Sequence, residues 1–406
     1  MKRTHVFTRF FLLPALFFAG FAIQSPAEEF EFKYRAGEKY KILSEVEEKV
    51  YINGRYSHQA DIMNRISVEV TDYREGMGTL EGRFITTERL KGSTSAYQID
   101  STYDSVYRRG PLGEYEIEEQ YYMPVVRNVP VFPDKELEKG DTWKKRGEEV
   151  HDLRRGYGID EPFRIPFLAH YRYQGKGELD DKTLDLISVQ YEVRHNSEAF
   201  YERYSLYPER ISGFSDQTIY WDGEAGRPYA YHEQFSILFY MSNGDQYEFI
   251  GTARAKVTES IPMDKEKVAE ELNKIFDKDK VDDTRARVGE TGVTIDLEDI
   301  KFEANSDRLL DSEKRKLDKI AEVLSEYPDR HLEITGHTAL AGTEEGRQRL
   351  SELRAQSVAD YFLEEGIREP KEIITEGKGA REPVADNSTA EGMRRNRRVE
   401  ITILEN

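Results

Sequence analysis

Arg354 lies on a helical segment of this sequence. A guanidinium carried on a helix can grip a carboxylate with two parallel hydrogen bonds. Glu344 and Glu345 open the same helical segment, where carboxylates complement the N-terminal dipole. His337 sits in Gly336-His337-Thr338, a strand-to-loop pattern that makes it a structural hydrogen-bonding residue rather than a catalyst. His151 and His170 stand in a tyrosine-rich region and would matter to an enzyme only inside a cleft with convergent acids. The 8 histidines show no metal-binding spacing, so no metal is expected. Cysteine is absent, which excludes disulfides, thiolate nucleophiles, Cys-metal sites and lipid attached to cysteine. Arg394, Arg395, Arg397 and Arg398 form a basic cluster that reads as local ion pairing in an acidic surrounding. Glu116 and Glu118 alternate with Tyr115 and Ile117, the pattern of a solvated strand face. No nucleophile elbow, phosphate loop or dinucleotide fingerprint appears. No catalytic residue, cofactor or enzymatic activity is expected.

The elements that position these residues belong to a chain of 406 residues, enough for two or three domains. With 78 acids against 59 bases the formal charge is −19, which argues against nucleic acid as a partner. Charged residues make up 34%, incompatible with a helical integral membrane protein. Residues 1–27 read as a cleaved export signal. Lys2, Arg3 and Arg9 precede the apolar run Phe10–Ile23, and Ser25-Pro26-Ala27 offers small residues for cleavage after Ala27. The run is shorter than the roughly 20 residues of a membrane span. The expected location is the periplasm, in association with the outer membrane or cell wall, with no transmembrane span after cleavage.

Residues 28–262 read as antiparallel strands. Ile66–Thr71 alternates apolar and polar residues, as do Ile187–Val193 and Phe235–Met241. Asn53-Gly54 and Asn243-Gly244 are two-residue hairpin signals. Pro130, Pro133 and Gly140 could divide the region in two. Lys41–Tyr51 carries charge on both faces, which disfavours a membrane barrel. A curled half-barrel or a sandwich is expected. The texture is loosely similar to periplasmic half-barrel carriers and implies no site residues.

Residues 263–288 read as an amphipathic helix, with Val268, Leu272, Ile275 and Phe276 on one face, followed by a charged linker, Lys278–Gly289. Residues 289–406 give a β-α-β-α-β-β order. Strand signals lie at Gly292–Ile295 and Ile300–Phe302, His331–Thr335, Glu372–Thr375 and Arg398–Leu404. One helix is capped by Asp311 and ended by Pro328. A second is capped by Thr343, buries Leu350, Leu353, Val358 and Tyr361, and stops at Gly366.

In this last region Phe302, Asn305-Ser306, Gly336-His337-Thr338, Gly342, Leu350-Ser351, Arg354-Ala355, Gly377, Gly379, Pro383, Asn387, Glu391-Gly392 and Asn396–Ile401 resemble the OmpA-like C-terminal domain family. The resemblance implies a periplasmic module that binds peptidoglycan without a covalent bond. It implies that Arg354 holds the carboxylate of the stem-peptide diamino acid. The loop Glu303–Asp307, with Glu303 and Asn305, would lie beside the ligand, and an Asp directly after Thr338 would hold the ammonium. Here that position is Ala339. Arg347 and Met393 also replace the family's usual Asn and Arg. Three readings stay open: binding is lost, it is redirected to a different diamino acid such as ornithine by a relocated acid (Glu303, Glu344 or Glu345), or it is weak. The β-rich region would bind an envelope protein or an apolar ligand. The rival readings are a lipid or lipoprotein carrier and an envelope enzyme with its site in the β region.

Overall fold

A computed structural model describes residues 27–258, 263–298, 300–302 and 308–405. The export signal, the 259–262 connection and the loop Glu303–Asp307 fall outside the described residues, apart from Ala27. No helix among the described residues is long and apolar enough to cross a membrane.

The N-terminal half is one antiparallel meander: β1 (Lys39–Ile52), β2 (Arg55–Arg74), β3 (Met77–Leu90), β4 (Tyr97–Arg109), β5 (Tyr115–Ile117), β6 (Val126–Arg127), β7 (Thr142–His151), β8 (Phe163–Leu179), β9 (Lys182–Asn196), β10 (Pro208–Asp222), β11 (Arg227–Met241) and β12 (Gln246–Thr258). Each strand pairs with its sequence neighbour, and β12 pairs with β1. The one break in the circle is between β5 and β6. Side chains tie the two sides of that seam. Tyr103 on β4 donates to Asp152 after β7 (2.7 Å), Arg155 donates to the Asp100 carbonyl (2.7 Å), and Asn128 accepts from the Tyr115 N–H (2.8 Å). The half is therefore a single curled sheet, neither a sandwich nor two β units.

Alternation decides which face turns inward. On β8, Ile165, Phe167, Ala169, Tyr171 and Tyr173 are buried while Leu168, His170 and Arg172 point out. They join Phe30, Phe132, Trp143 and Trp221 in an aromatic core. A transmembrane barrel has the reverse arrangement, an apolar band outside. Asn53 and Gly54 both have positive φ (52° and 74°), as a two-residue turn requires. The second expected tight turn is longer. Residues 242–245 separate β11 from β12, and the Asn243 side chain caps the Asp245 N–H at 3.0 Å.

The C-terminal half contains α1 (Lys265–Asp279), β13 (Thr284–Val288), β14 (Gly292–Glu298), α2 (Asp311–Leu324), β15 (Leu332–Gly336), α3 (Glu344–Glu364), β16 (Ile373–Gly377), α4 (Ala390–Asn396) and β17 (Arg398–Leu404). Three features correct the sequence reading. The expected linker holds β13, which the alternating arginines disguise: Ala286 is its buried residue, and Asn273 of α1 bonds both its N–H and carbonyl. A seven-residue helix, α4, precedes the last strand, capped by Thr389. Leu310, not Asp311, precedes the first turn of α2, without a side-chain cap.

The buried stripe of α3 also differs. It is Ser351, Ala355, Val358, Ala359 and Phe362, and Leu353 is 39% exposed. Close approach to the sheet explains the small residues. A Cβ on Gly336 would stand 2.1 Å from the Ser351 carbonyl oxygen, and one on Gly377 2.6 Å from the Glu352 nitrogen.

The halves touch. Ile374 and Thr375 of β16 pair in parallel with Tyr97 and Gln98 of β4. Ala96 enters the C-terminal core, and Arg65 donates to the Lys371 carbonyl at 2.9 Å.

Candidate functional site

Strand β15 delivers Gly336, His337 and Thr338 to the end of the sheet. The His337 N–H donates to the Arg398 carbonyl at 2.9 Å and the Thr338 N–H to the Gly379 carbonyl at 2.8 Å. The His337 ring is 1% exposed. Burial and the Arg398 charge hold its pKa down to about 3, so it is neutral, and the 3.7 Å approach of Glu400 is neither an ion pair nor a hydrogen bond. This is a packed structural histidine.

Ala339 follows, 6% exposed, with its carbonyl accepting from Ala341 at 2.9 Å. Thr338 is equally buried, and its hydroxyl has no hydrogen-bond partner among the described residues. Asn387 reaches over to accept from the Leu340 N–H at 3.0 Å. Asn396, fully buried at the end of α4, accepts from the N–H groups of Val384 and Ala385 at 2.8 and 2.9 Å. That shapes the 380–389 loop. These two asparagines explain matches in the sequence motif that carried no stated role.

Helix α3 carries Arg354. Its first turn is capped by Thr343, which accepts from Gly346 at 3.1 Å, and Glu344 and Glu345 sit exposed at the positive end of the dipole. Arg347 and Arg354 are two turns apart and leave the same side of the helix. Arg347 donates to the Gly342 carbonyl at 2.5 Å. The Arg354 guanidinium lies 5.0 Å from the Phe302 ring centroid. Phe302 and Leu309 form an isolated bridge that brings together the two ends of the segment containing Glu303 and Asn305. Those two residues lie outside the described residues. Thr338 and Ala339 thus follow β15, and Arg354 stands on its packed neighbour α3.

The β half holds a second candidate. A cavity of about 320 Å³ opens inside the curled sheet, with walls from β1–β5, β10–β12 and the 123–130 segment at the seam. Beside it lies a buried polar network. His151 contacts Glu149 at 2.9 Å, Tyr191 donates to Glu149 at 2.8 Å, and Ser215 and Gln217 donate to Glu233 at 2.7 and 3.1 Å. Burial raises the Glu149 pKa, but the bonds from His151 and Tyr191 outweigh it and hold it below the ordinary value. Burial pushes Glu233 up. Of this network Gln217 and Glu233 line the cavity, whereas Glu149 and His151 do not. His170 points outward and is exposed. No group of three or more potential metal ligands occurs among the described residues.

Residues 301–397 match the OmpA family model, so the C-terminal region is an OmpA-like domain. Among curated proteins, the chain is 37% identical over 129 residues to a probable lipoprotein, YiaD, of Escherichia coli K12, covering 31% of this chain and 58% of that protein. It is 41% identical over 106 residues to outer membrane protein A of Bordetella avium, covering 26% and 54%. It is 36% identical over 104 residues to the peptidoglycan-binding protein ArfA of Mycobacterium tuberculosis, covering 26% and 32%. The chain therefore spans little more than half the length of the first two relatives. Among solved structures, the cell wall anchor of a T6SS from Pseudomonas aeruginosa shares 30% identity over 33% of this chain and 97% of that one, with a TM-score of 0.30. An outer membrane protein of Borrelia burgdorferi shares 31% identity over 30% of this chain and 96% of that one, with a TM-score of 0.25.

Proposed function

We propose that this chain is a non-enzymatic protein of the cell envelope whose OmpA-like domain stands at the peptidoglycan with half of a charge clamp. The observation that carries the reading is the contrast between Arg354 and Ala339. Arg354 rests on Phe302 beside the segment that holds Glu303 and Asn305, where a ligand carboxylate would meet it. Ala339 presents a buried methyl where the family places the counter-charge for an ammonium. A methyl cannot pair with a cation. Losing one partner of a desolvated pair costs ~2–5 kcal/mol, a factor of roughly 30 to several thousand in affinity. Arg347, on the same side of α3 as Arg354, makes the region more cationic still and further disfavours an ammonium. The relatives support the setting, since they are named as outer membrane, lipoprotein and peptidoglycan-binding proteins. An exported periplasmic chain fits that setting.

The test is pull-down of the full chain on two purified peptidoglycans, one with diaminopimelate and one with ornithine, beside the Arg354→Ala and Ala339→Asp variants. The reading expects weak retention that Arg354→Ala abolishes and Ala339→Asp strengthens at least tenfold on diaminopimelate material. Retention on ornithine material alone would assign the missing charge to Glu303, Glu344 or Glu345. Retention indifferent to Arg354→Ala would sink the clamp reading.

A further inference from the structure

The cavity in the β half has a mixed lining. Ile42, Ile66, Phe84, Val126, Ile219 and Val257 give it apolar wall, and Tyr40, Tyr107, Tyr115, Arg109 and Arg227 line it too. The Arg109 guanidinium lies on the faces of Phe32 (3.7 Å) and Tyr115 (4.5 Å). It donates only to carbonyls, those of Gly113, Val129 and Pro130 at 3.2–3.4 Å, and has no carboxylate partner among the described residues. Arg227 lies over Tyr40 at 4.5 Å and is already paired with Glu38 at 2.7 Å. The hydroxyls of Tyr40, Tyr107 and Tyr115 make no hydrogen bond to another described residue. Burial lifts Tyr40 to about 12 and Tyr107 well above the ordinary phenol value, so both keep their protons as donors at neutral pH.

Polar groups facing a cavity seek partners, and a guanidinium bonds an anion more strongly than a carbonyl. A guanidinium bonded only to carbonyls and three phenols whose hydroxyls bond no other described residue line one cavity. An oxyanion would satisfy them together. The volume lies at the low end of the roughly 300–1,000 Å³ of small-molecule sites, which suits one acyl chain rather than two.

We propose that the β half binds an anionic amphiphile with a single acyl chain. Its head group accepts from Arg109 and the Tyr40, Tyr107 and Tyr115 hydroxyls, and its chain lies along the apolar wall. A fatty acid and a lysophospholipid share this chemistry. The inference is independent of the peptidoglycan reading.

Calorimetric titration of the full chain with palmitate, palmitoyl lysophosphatidylglycerol and palmityl alcohol tests it. One equivalent of an anion is expected to bind at least tenfold more tightly than the uncharged alcohol. Palmitate winning over the lysolipid identifies a carboxylate head, and the reverse a phosphate. Arg109→Gln is expected to erase the preference for anions. Tyr107→Phe, which keeps the ring, is expected to weaken anions about threefold or more and leave the alcohol unchanged. Ala255→Phe, which fills the cavity, is expected to abolish binding of all three ligands. Equal affinity for the three ligands would overturn the proposal, as would no binding, or anion binding unchanged in both Arg109→Gln and Tyr107→Phe.

Discussion

Glu48 shows what burial does to one carboxyl. It points into the curled sheet on β1, and desolvation, with repulsion from Glu88, pushes its pKa up to about 7. The folded protein therefore holds this proton more tightly than the unfolded chain. The stabilisation is full below about pH 4.5 and is lost as pH rises through 7. Glu48→Gln should flatten that slope and raise stability at pH 8 by at most about 3 kcal/mol, measured by urea denaturation at pH 5 and pH 8. Asp152 runs the other way. Burial raises it, but bonds from Arg154 and Tyr103 win and hold it at about 2. Its contribution is present above pH 4 and fades as pH falls towards 2. Asp152→Asn should lower the thermal midpoint at pH 7, with the deficit shrinking below pH 4. Arg354 stands out in the sequence only through the motif around it, Leu350-Ser351 and Arg354-Ala355, and its proposed role rests on that resemblance. Arg109 does not stand out. Nothing in Tyr107-Arg108-Arg109 says which arginine faces inward; strand register decides that Arg108 pairs with exposed Glu116 while Arg109 turns to the cavity.

At the scale of elements, α3 lies so close to β15 and β16 that glycine is required beneath it. Gly336→Ala should cost about 1–3 kcal/mol through overpacking, read as a lower denaturation midpoint; an unchanged midpoint would mean that α3 can ride outward freely. The same closeness explains why, of Leu350, Leu353, Val358 and Tyr361 expected to line the buried side of α3, only Val358 is fully buried. Periodicity marks large apolar residues, whereas a tight helix–sheet contact selects Ser351 and Ala355. The strands of the β half were plain from alternation, since one face is solvated and the other packed. The short elements were not. β13 buries one alanine, and α4 is too brief to show a period. The seam between β5 and β6 was invisible for a different reason. It depends on pairings between residues far apart in the chain, which no local pattern encodes.

Across the whole molecule, the two halves share a contact that includes Arg65, Ala96, two residues of β16 and Lys41, which donates to the Glu405 carbonyl. Burial holds Arg65 down to about 10 and, with the Arg65 charge, holds His331 down to about 4. A charge reversal, Arg65→Asp, should resolve one calorimetric unfolding peak into two; a single peak retained in the variant would show that Arg65 is not what couples the halves. The β4–β16 pairing has a further consequence. It spans two residues on each strand, whereas most ladders within each half are longer. Were one half fixed to the wall and the other held elsewhere in the envelope, tension would reach that junction first. It would part while the covalent chain stayed whole. The chain would then lengthen before it released its hold, yielding under sudden strain as a compliant link does.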